Sequence, residues 1–202
     1  MTDPSTSPPT PSARSRDDLA RVTVGELLPL SGRIVFAEPD PAWPALYARE
    51  EERIRSVLGD RARQIAHTGS TSIPGLAAKA IIDITMLVAD VLDEDAYARD
   101  LEAAGYAIRI REGEPDWYDH RVLKGPDTNV NLHVFSDGCV EWQRMVGFRD
   151  WLRTHDEDRT LYEQTKRDLL TREWQYIQDY ADAKSTVVEE IIARAGLPGP
   201  RP

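Results

Sequence analysis

Between positions 67 and 88 the chain reads His67-Thr68-Gly69-Ser70-Thr71-Ser72-Ile73-Pro74-Gly75-Leu76-Ala77-Ala78-Lys79-Ala80-Ile81-Ile82-Asp83-Ile84-Thr85-Met86-Leu87-Val88. This stretch concentrates the residues best suited to chemistry. Gly69, Ser70, Thr71 and Ser72 offer backbone N–H groups and hydroxyls, and glycine lets a ligand approach the backbone closely. Lys79 adds a positive charge just beyond them. Ala80 to Val88 is almost continuously apolar and is interrupted by one acid, Asp83. A carboxylate in such a run is expensive unless a metal, a cation or a hydrogen-bond donor meets it. The combination points to an anion held by the loop, next to a cation held by Asp83.

Side chains alternate along a strand, so Asp83 and Thr85 share a direction, as do Asn131 and His133 further on. Three readings of the histidines stand side by side. His67, His133 and one carboxylate could bind a transition metal. His133 could act as a general base toward a bound hydroxyl. Or both rings are buried, hydrogen-bonded core residues. Basic residues available to complete an anion pocket are Lys79, Arg109, Arg111, Arg121, Lys124, Arg144, Arg149, Lys166 and Lys184. Arg144 and Arg149 stand out because they follow the His133 strand on the next helix. Structural ion pairs explain each of these about as well.

The elements that must position these groups follow from periodicity. Gln64 to His67 reads as a short strand and Ala80 to Val88 as a buried one. Upstream, Arg33 to Ala37 alternates weakly, as an edge strand does. Asp40 and Pro41 read as the start of a helix whose apolar residues, from Trp43 to Leu58, recur at helical spacing and end at Gly59. Trp43 suits a core anchor better than a stacking platform. A helix from Asp93 to Ala104 precedes strands at Tyr106 to Arg111, Tyr118 to Lys124 and Asn129 to Phe135, the last two joined by a Gly125-Pro126-Asp127-Thr128 turn. The C-terminal third reads as three helices, at 141–154, 156–172 and 176–195. This order predicts an α+β fold, a mixed sheet with packed helices and a helical C-terminal third.

Composition sets outer limits. The 202 residues suit one domain. Residues 1–20, rich in Pro, Ser and Thr, read as a disordered tail and 21–32 as a connecting segment, with the domain over 33–197. A net charge of −10 argues against a nucleic-acid groove. The single cysteine, Cys139, fits a reducing cytoplasm, and no apolar run approaches a membrane span. The expectation is a cytoplasmic protein without membrane or nucleic-acid partners, of open oligomeric state.

The run His-x-Gly-Ser-Thr-Ser-x-Pro-Gly-Leu-Ala-x-Lys-x-x-Ile-Asp-Ile resembles the signature of the GrpB (UPF0157) family. The resemblance takes in Asp40-Pro41-Ala42-Trp43, Asn131-Leu132-His133-Val134 and Phe148-Arg149-Asp150-Trp151-Leu152-Arg153, over roughly residues 33 to 195. That family is similar to the nucleotidyltransferases of the DNA polymerase β superfamily. The resemblance implies a polymerase-β-like nucleotidyltransferase fold. It further implies Gly69, Ser70, Thr71, Ser72, Lys79, Arg144 and Arg149 on the phosphates of a nucleotide or other phosphorylated small molecule. Asp83 would hold a Mg²⁺ ion, with His133 as the second catalytic residue, and a nucleotidyl group would pass to a small acceptor. The superfamily pattern wants a second acid at position 85 and a third on a later strand. This chain has Thr85, Asn131 and His133 there. A binding or accessory module that keeps the fold without complete metal chemistry is the alternative reading.

Overall fold

A computed structural model describes residues 15–30, 33–113 and 118–199. Its centre is a five-stranded mixed sheet: β1 (Gln64–Thr68), β2 (Ile82–Val88), β3 (Ala107–Glu112), β4 (His120–Lys124) and β5 (Val130–Ser136). The spatial order is β1-β2-β5-β4-β3, with β2 and β5 parallel and the other neighbours antiparallel. The register sets Thr68 beside Asp83, Asp83 beside Asn131, Thr85 beside His133 and Lys124 beside Asn131. The expected α+β architecture is what the chain adopts.

The two sheet faces differ in character. One carries Ile82, Ile84, Met86, Val88, Leu132 and Val134, all nearly inaccessible. It packs against α2 (Trp43–Leu58), through Trp43, Ile54 and Leu58, and against α3 (Ala98–Ala103), through Leu101. Trp43 is a core residue here. The opposite face carries the polar set of Asp83, Thr85, Asn131, His133, Lys124 and His120. Over its β1–β2 side lies α4 (Val140–Thr154), where Thr85 Oγ1 reaches Met145 Sδ at 3.5 Å. Beyond α4, the helices α5 (Asp156–Leu169), α6 (Ile177–Ala183) and α7 (Ser185–Arg194) complete the C-terminal third. A second apolar cluster joins them to the loop after β1: Ile73 and Leu76 pack with Leu152, Tyr162, Val187 and Ile191.

Several boundaries depart from the sequence reading, each for a local reason. The disordered tail expected over 1–20 stops short. Ser15 and Asp18 form a reciprocal capping box that starts helix α1 (Arg16–Val22), whose Leu19 is buried. The rest of that expectation, residues 1–14, lies outside the described residues. Thr23 then bridges to Ile110, and Val24 N–H donates to the Arg109 carbonyl (2.7 Å), so the connecting segment covers the edge of β3. The strand expected at Arg33 to Ala37 shrinks to one bridge, Ala37 with Ala78. Helix α2 begins two residues after Pro41, since the Asp40 carboxylate caps the Ala42 N–H (2.8 Å) in a turn of its own. The last expected helix breaks at Lys184 into α6 and α7. Part of the expected 112–117 connection, residues 114–117, also lies outside the described residues.

Candidate functional site

At the end of β1 the chain turns through Gly69, whose φ of 65° and ψ of −176° suit only glycine comfortably. A side chain there would also collide with Asp83, its Cβ falling 2.8 Å from Asp83 Cβ and still closer to the carboxylate. The close approach that glycine permits is therefore to Asp83. Ser70–Ser72 forms a single 3₁₀ turn. Two of its hydroxyls hold the loop itself: Thr71 Oγ1 donates to the Ile81 carbonyl (2.9 Å) and Ser72 Oγ to the Gly69 carbonyl (2.6 Å). Both hydroxyl protons are thereby engaged within the loop. Ser70 Oγ accepts from Lys166 Nζ (3.1 Å).

The C-terminal helices pin this loop. From α4, Arg149 Nη1 donates to the His67 carbonyl (2.9 Å), while its other nitrogens grip Asp150 at 2.8 and 3.0 Å. Arg153 donates twice to the Ser72 carbonyl, at 3.1 and 2.7 Å. Lys166, from α5, donates to the Ala77 carbonyl (2.7 Å). Arg144 is buried and engaged away from the loop, by Glu141 (2.9 Å), Glu189 (2.5 Å) and the Pro198 carbonyl (2.6 Å). The two arginines favoured from sequence thus serve the architecture: Arg149 fastens α4 to β1, and Arg144 fastens α4 to α7 and the segment after it.

The lysines behave differently. The sequence has only four, Lys79, Lys124, Lys166 and Lys184, against twenty-one arginines. None of the ion pairs among the described residues uses a lysine; the cations in them are arginines and histidines. Three lysines converge beyond the loop. Lys79 and Lys184 lie 5.4 and 5.0 Å from the centre of the Tyr180 ring, and Lys166 lies 4.8 Å from that of Tyr162 and 5.1 Å from that of Phe36. Burial, then the charge of Lys184, draws the Lys166 amine down to about 7. Burial and Lys184 also draw Lys79 down, to about 8, against the pull of Asp83. The fourth lysine, Lys124, donates to Asn131 Oδ1 (2.5 Å), and Asn131 Nδ2 donates to Asp83 Oδ1 (2.7 Å).

Asp83 is about a quarter exposed, at 26%, and His133 is similar, at 22%, with Nε2 3.8 Å from Asp83 Oδ1. Burial raises the Asp83 carboxyl, but His133, the Asn131 amide and Lys79 together outweigh it and leave it below its ordinary value. Behind His133, its Nδ1 lies 3.1 Å from His120 Nε2, and His120 Nδ1 lies 2.9 Å from Glu112 Oε2. His120 and Glu112 escaped the sequence reading. The signal that would have found His120 is its parity in β4, opposite Phe135 and two residues from Val122, the partner of His133.

The structure separates His67 from this group. One residue before Thr68, its ring points to the other face, where it stacks on Tyr47 with centroids 4.8 Å apart. Its Nε2 lies 3.1 Å from Thr71 Oγ1, and burial lowers it to about 4. Because the Thr71 hydroxyl proton goes to Ile81, Nε2 is the donor. His67 is the buried, hydrogen-bonded core histidine among the readings above. It cannot share a metal with His133.

The donor set also fails the arrangement of two Mg²⁺ ions. Thr85 is fully buried beneath Met145 and paired with Thr68 Oγ1 (2.8 Å), so the position of the expected second acid faces protein. Among the described residues, no three His, Cys, Asp or Glu side chains group as metal ligands. Asp83 stands as one carboxylate where such a site uses several.

Comparison with known proteins places this geometry. The model of the GrpB protein family matches residues 33–194. A UPF0157 protein of Halalkalibacterium halodurans is 55% identical over 195 residues, covering 96% of this chain and 97% of its own. One from Streptomyces coelicolor is 41% identical, covering 92% and 96%. The crystal structure of the conserved protein GrpB from Enterococcus faecalis superposes with a TM-score of 0.68 at 27% identity, covering 80% of this chain and 96% of that one. No helix among the described residues is long and apolar enough to cross a membrane.

Proposed function

The chain belongs to the GrpB (UPF0157) family, and we propose that within that fold it binds a phosphorylated small molecule, a nucleotide foremost, between the Ser70 turn and the lysines of its C-terminal helices. One observation carries this reading. In a protein of net charge −10, three of the four lysines converge on one place without a carboxylate partner. Like charges gathered in a half-buried site are unfavourable until an anion joins them. Lysine suits an anion subsite because it is a compact point charge with three donors, whereas arginine performs the structural pairing elsewhere in this chain. Ser70 supplies a hydroxyl beside Lys166, and Lys79 links the anion subsite to Asp83.

Transfer of a nucleotidyl group to a small acceptor is the second reading, supported by Asp83 and His133 at the mouth of the same site. It does not run through a pair of Mg²⁺ ions, for which the side chains do not fit. A non-catalytic binding module uses the same lysines and differs only in lacking turnover. The test is calorimetric titration with pyrophosphate, ATP and GTP, each with Mg²⁺ and with chelator. Binding that survives chelation and is weakened tenfold or more, about 1.4 kcal/mol or more, by Lys184→Met supports the proposal. No binding of any of the three, or equal binding by the variant, overturns it.

A further inference from the structure

Three residues behind the site form a chain that the phosphate-binding reading leaves unused. Glu112 on β3, His120 on β4 and His133 on β5 join neighbouring strands through contacts of 2.9 and 3.1 Å. Glu112 and His120 are buried, at 9% and 6% exposure, while His133 opens toward Asp83. The His120 ring lies parallel to those of His133 and Phe135, with centroids 5.2 and 4.4 Å away and planes within 5°. Arg121 fixes the same corner, donating through Nη1 to the backbone carbonyls of Glu112 and His120, 3.0 Å each.

Hydrogen-bond logic then sets the protons. A carboxylate only accepts, so Glu112 requires the proton of His120 on Nδ1. Burial pulls His120 down to about 4 against the opposing hydrogen bond to Glu112, so near neutrality it carries one ring proton only. Its Nε2 must then accept, and the donor is His133 Nδ1–H. The remaining lone pair of His133, on Nε2, faces Asp83 across 3.8 Å, too wide for a direct hydrogen bond. A hydroxyl set beside that gap has one proton to give, and Nε2 is the acceptor that can carry it away.

We propose that His133 is the general base of this site, that Glu112 and His120 are positioning residues which hold it in the Nδ1–H tautomer, and that the gap between His133 and Asp83 seats the hydroxyl of an alcohol or water. The hydroxyl O–H bond breaks, its proton passes to His133 Nε2, and the oxygen keeps the electron pair for attack on phosphorus. In that attack an O–P bond forms, and the P–O bond of a phosphoanhydride breaks with its electrons leaving on the departing phosphate. Asp83 then faces the imidazolium it helped to form. The histidine thus performs, without a second or third carboxylate, the activation that the superfamily assigns to metal-bound carboxylates. The other charged groups around His133 agree: on α4, Glu141 is itself held by Arg144 at 2.9 Å, so it is not free to take the place of the acceptor hydroxyl. The electrophile, though not the tautomer, rests on the phosphate-binding reading.

The test is ¹⁵N NMR of the histidine side chains in the full chain near neutral pH, with His120→Phe as the variant, because phenylalanine keeps the stack and removes the nitrogens. In the wild type, His133 should show a protonated Nδ1 and a bare Nε2; in His120→Phe, which offers Nδ1 no acceptor, the proton should move to Nε2, on the side of the Asp83 carboxylate. A wild-type His133 protonated at Nε2 overturns the proposal even if the variant fails to fold, and so does a tautomer indifferent to His120. Pyrophosphate titration of the same samples keeps the two readings apart. Retained pyrophosphate affinity with the wrong tautomer removes the base and leaves the anion site. The expected tautomer without pyrophosphate binding supports the base and removes the anion site.

Discussion

Replacing Lys166 by Met tests the idea that the site, without its anion, stores unfavourable charge. Lys166 is 2% exposed, and its amine falls from an ordinary 10.5 to about 7. A depressed amine is protonated more readily in the unfolded chain, so between those two values the unfolded state binds more protons and stability rises with pH. Below about 7 the penalty is present in full; above the ordinary value it is gone. At about 1.4 kcal/mol per unit, this one group makes the wild type roughly 2–3 kcal/mol more stable at about pH 9 than at about pH 6. Methionine keeps the length of the chain and its contacts with Phe36 and Tyr162 but does not titrate. It also removes donors from Ser70 Oγ and the Ala77 carbonyl, a loss of about 1–3 kcal/mol at either pH. The variant should therefore lose ground, measured against wild type, by roughly 2–3 kcal/mol from about pH 6 to about pH 9. Urea denaturation in phosphate-free buffer at the two pH values reads this difference directly. Parallel stability curves for variant and wild type would refute the reasoning, since they would mean that Lys166 ionises as it does in water.

Three further outcomes follow from the geometry. Gly69→Ala places a side chain at φ 65° against the Asp83 carboxylate and should lower stability by about 2 kcal/mol or more, measured by chemical denaturation. Arg144→Ala leaves Glu141 and Glu189 without their partner; stability should fall by about 3–5 kcal/mol while pyrophosphate affinity in the folded fraction stays unchanged. Asp83→Asn removes a carboxylate that the Asn131 amide and Lys79, joined by His133 once its ring is protonated, hold below its ordinary value. Its stabilising effect is present above that ordinary value and disappears as pH falls through the folded one, so the variant should be about 1–3 kcal/mol less stable near neutrality and converge on wild type in acid. That loss should be the same with Mg²⁺ and with chelator in unfolding titrations.

How much of this was legible beforehand depended on sequence distance. The acid in an apolar run, the parity of Asp83 with Thr85 and of Asn131 with His133, and the glycine-led turn are local features, and the strands deliver them together. The pairing of β2 with β5 brings Asn131 to Asp83 across 48 positions; parity gave their directions, and only the strand register gives the contact. Lys166 reaches Ser70 from 96 positions away, on a helix whose rotation is set by Tyr162 and Leu152 packing against Ile73 and Leu76. Nothing local in 156–169 announces this. The partners of the two arginines were hidden for a related reason. Arg144 and Arg149 sit on the correct helix, but Glu189 on another helix, the neighbouring Asp150 and the backbone of β1 engage them first. Glu112 was hidden because the β3–β4 pairing slips by one residue between Ile108 and Ile110, so its facing could not be counted from the hairpin.

The scarcity of lysine was visible all along, and the structure gives it physical sense. An arginine at Lys166 would bring a wider fork with five donors into a site that offers it one hydroxyl and one carbonyl. It would also stay ionised at any pH, whereas a buried lysine can shed its proton while no anion is bound. On the proposed anion site, the lysine cluster can thus lower its own repulsion by releasing a proton, and an entering anion would restore it. Binding and proton uptake are then one event, and affinity for a phosphate falls as pH rises past the lowered values of Lys166 and Lys79. In the same medium the neighbouring His133 needs its Nε2 bare to act as a base. The lysines work best while protonated, below their lowered values, and the histidine works only while neutral. The two demands pull in opposite directions with pH, a tension that an arginine cluster beside the same histidine would not create.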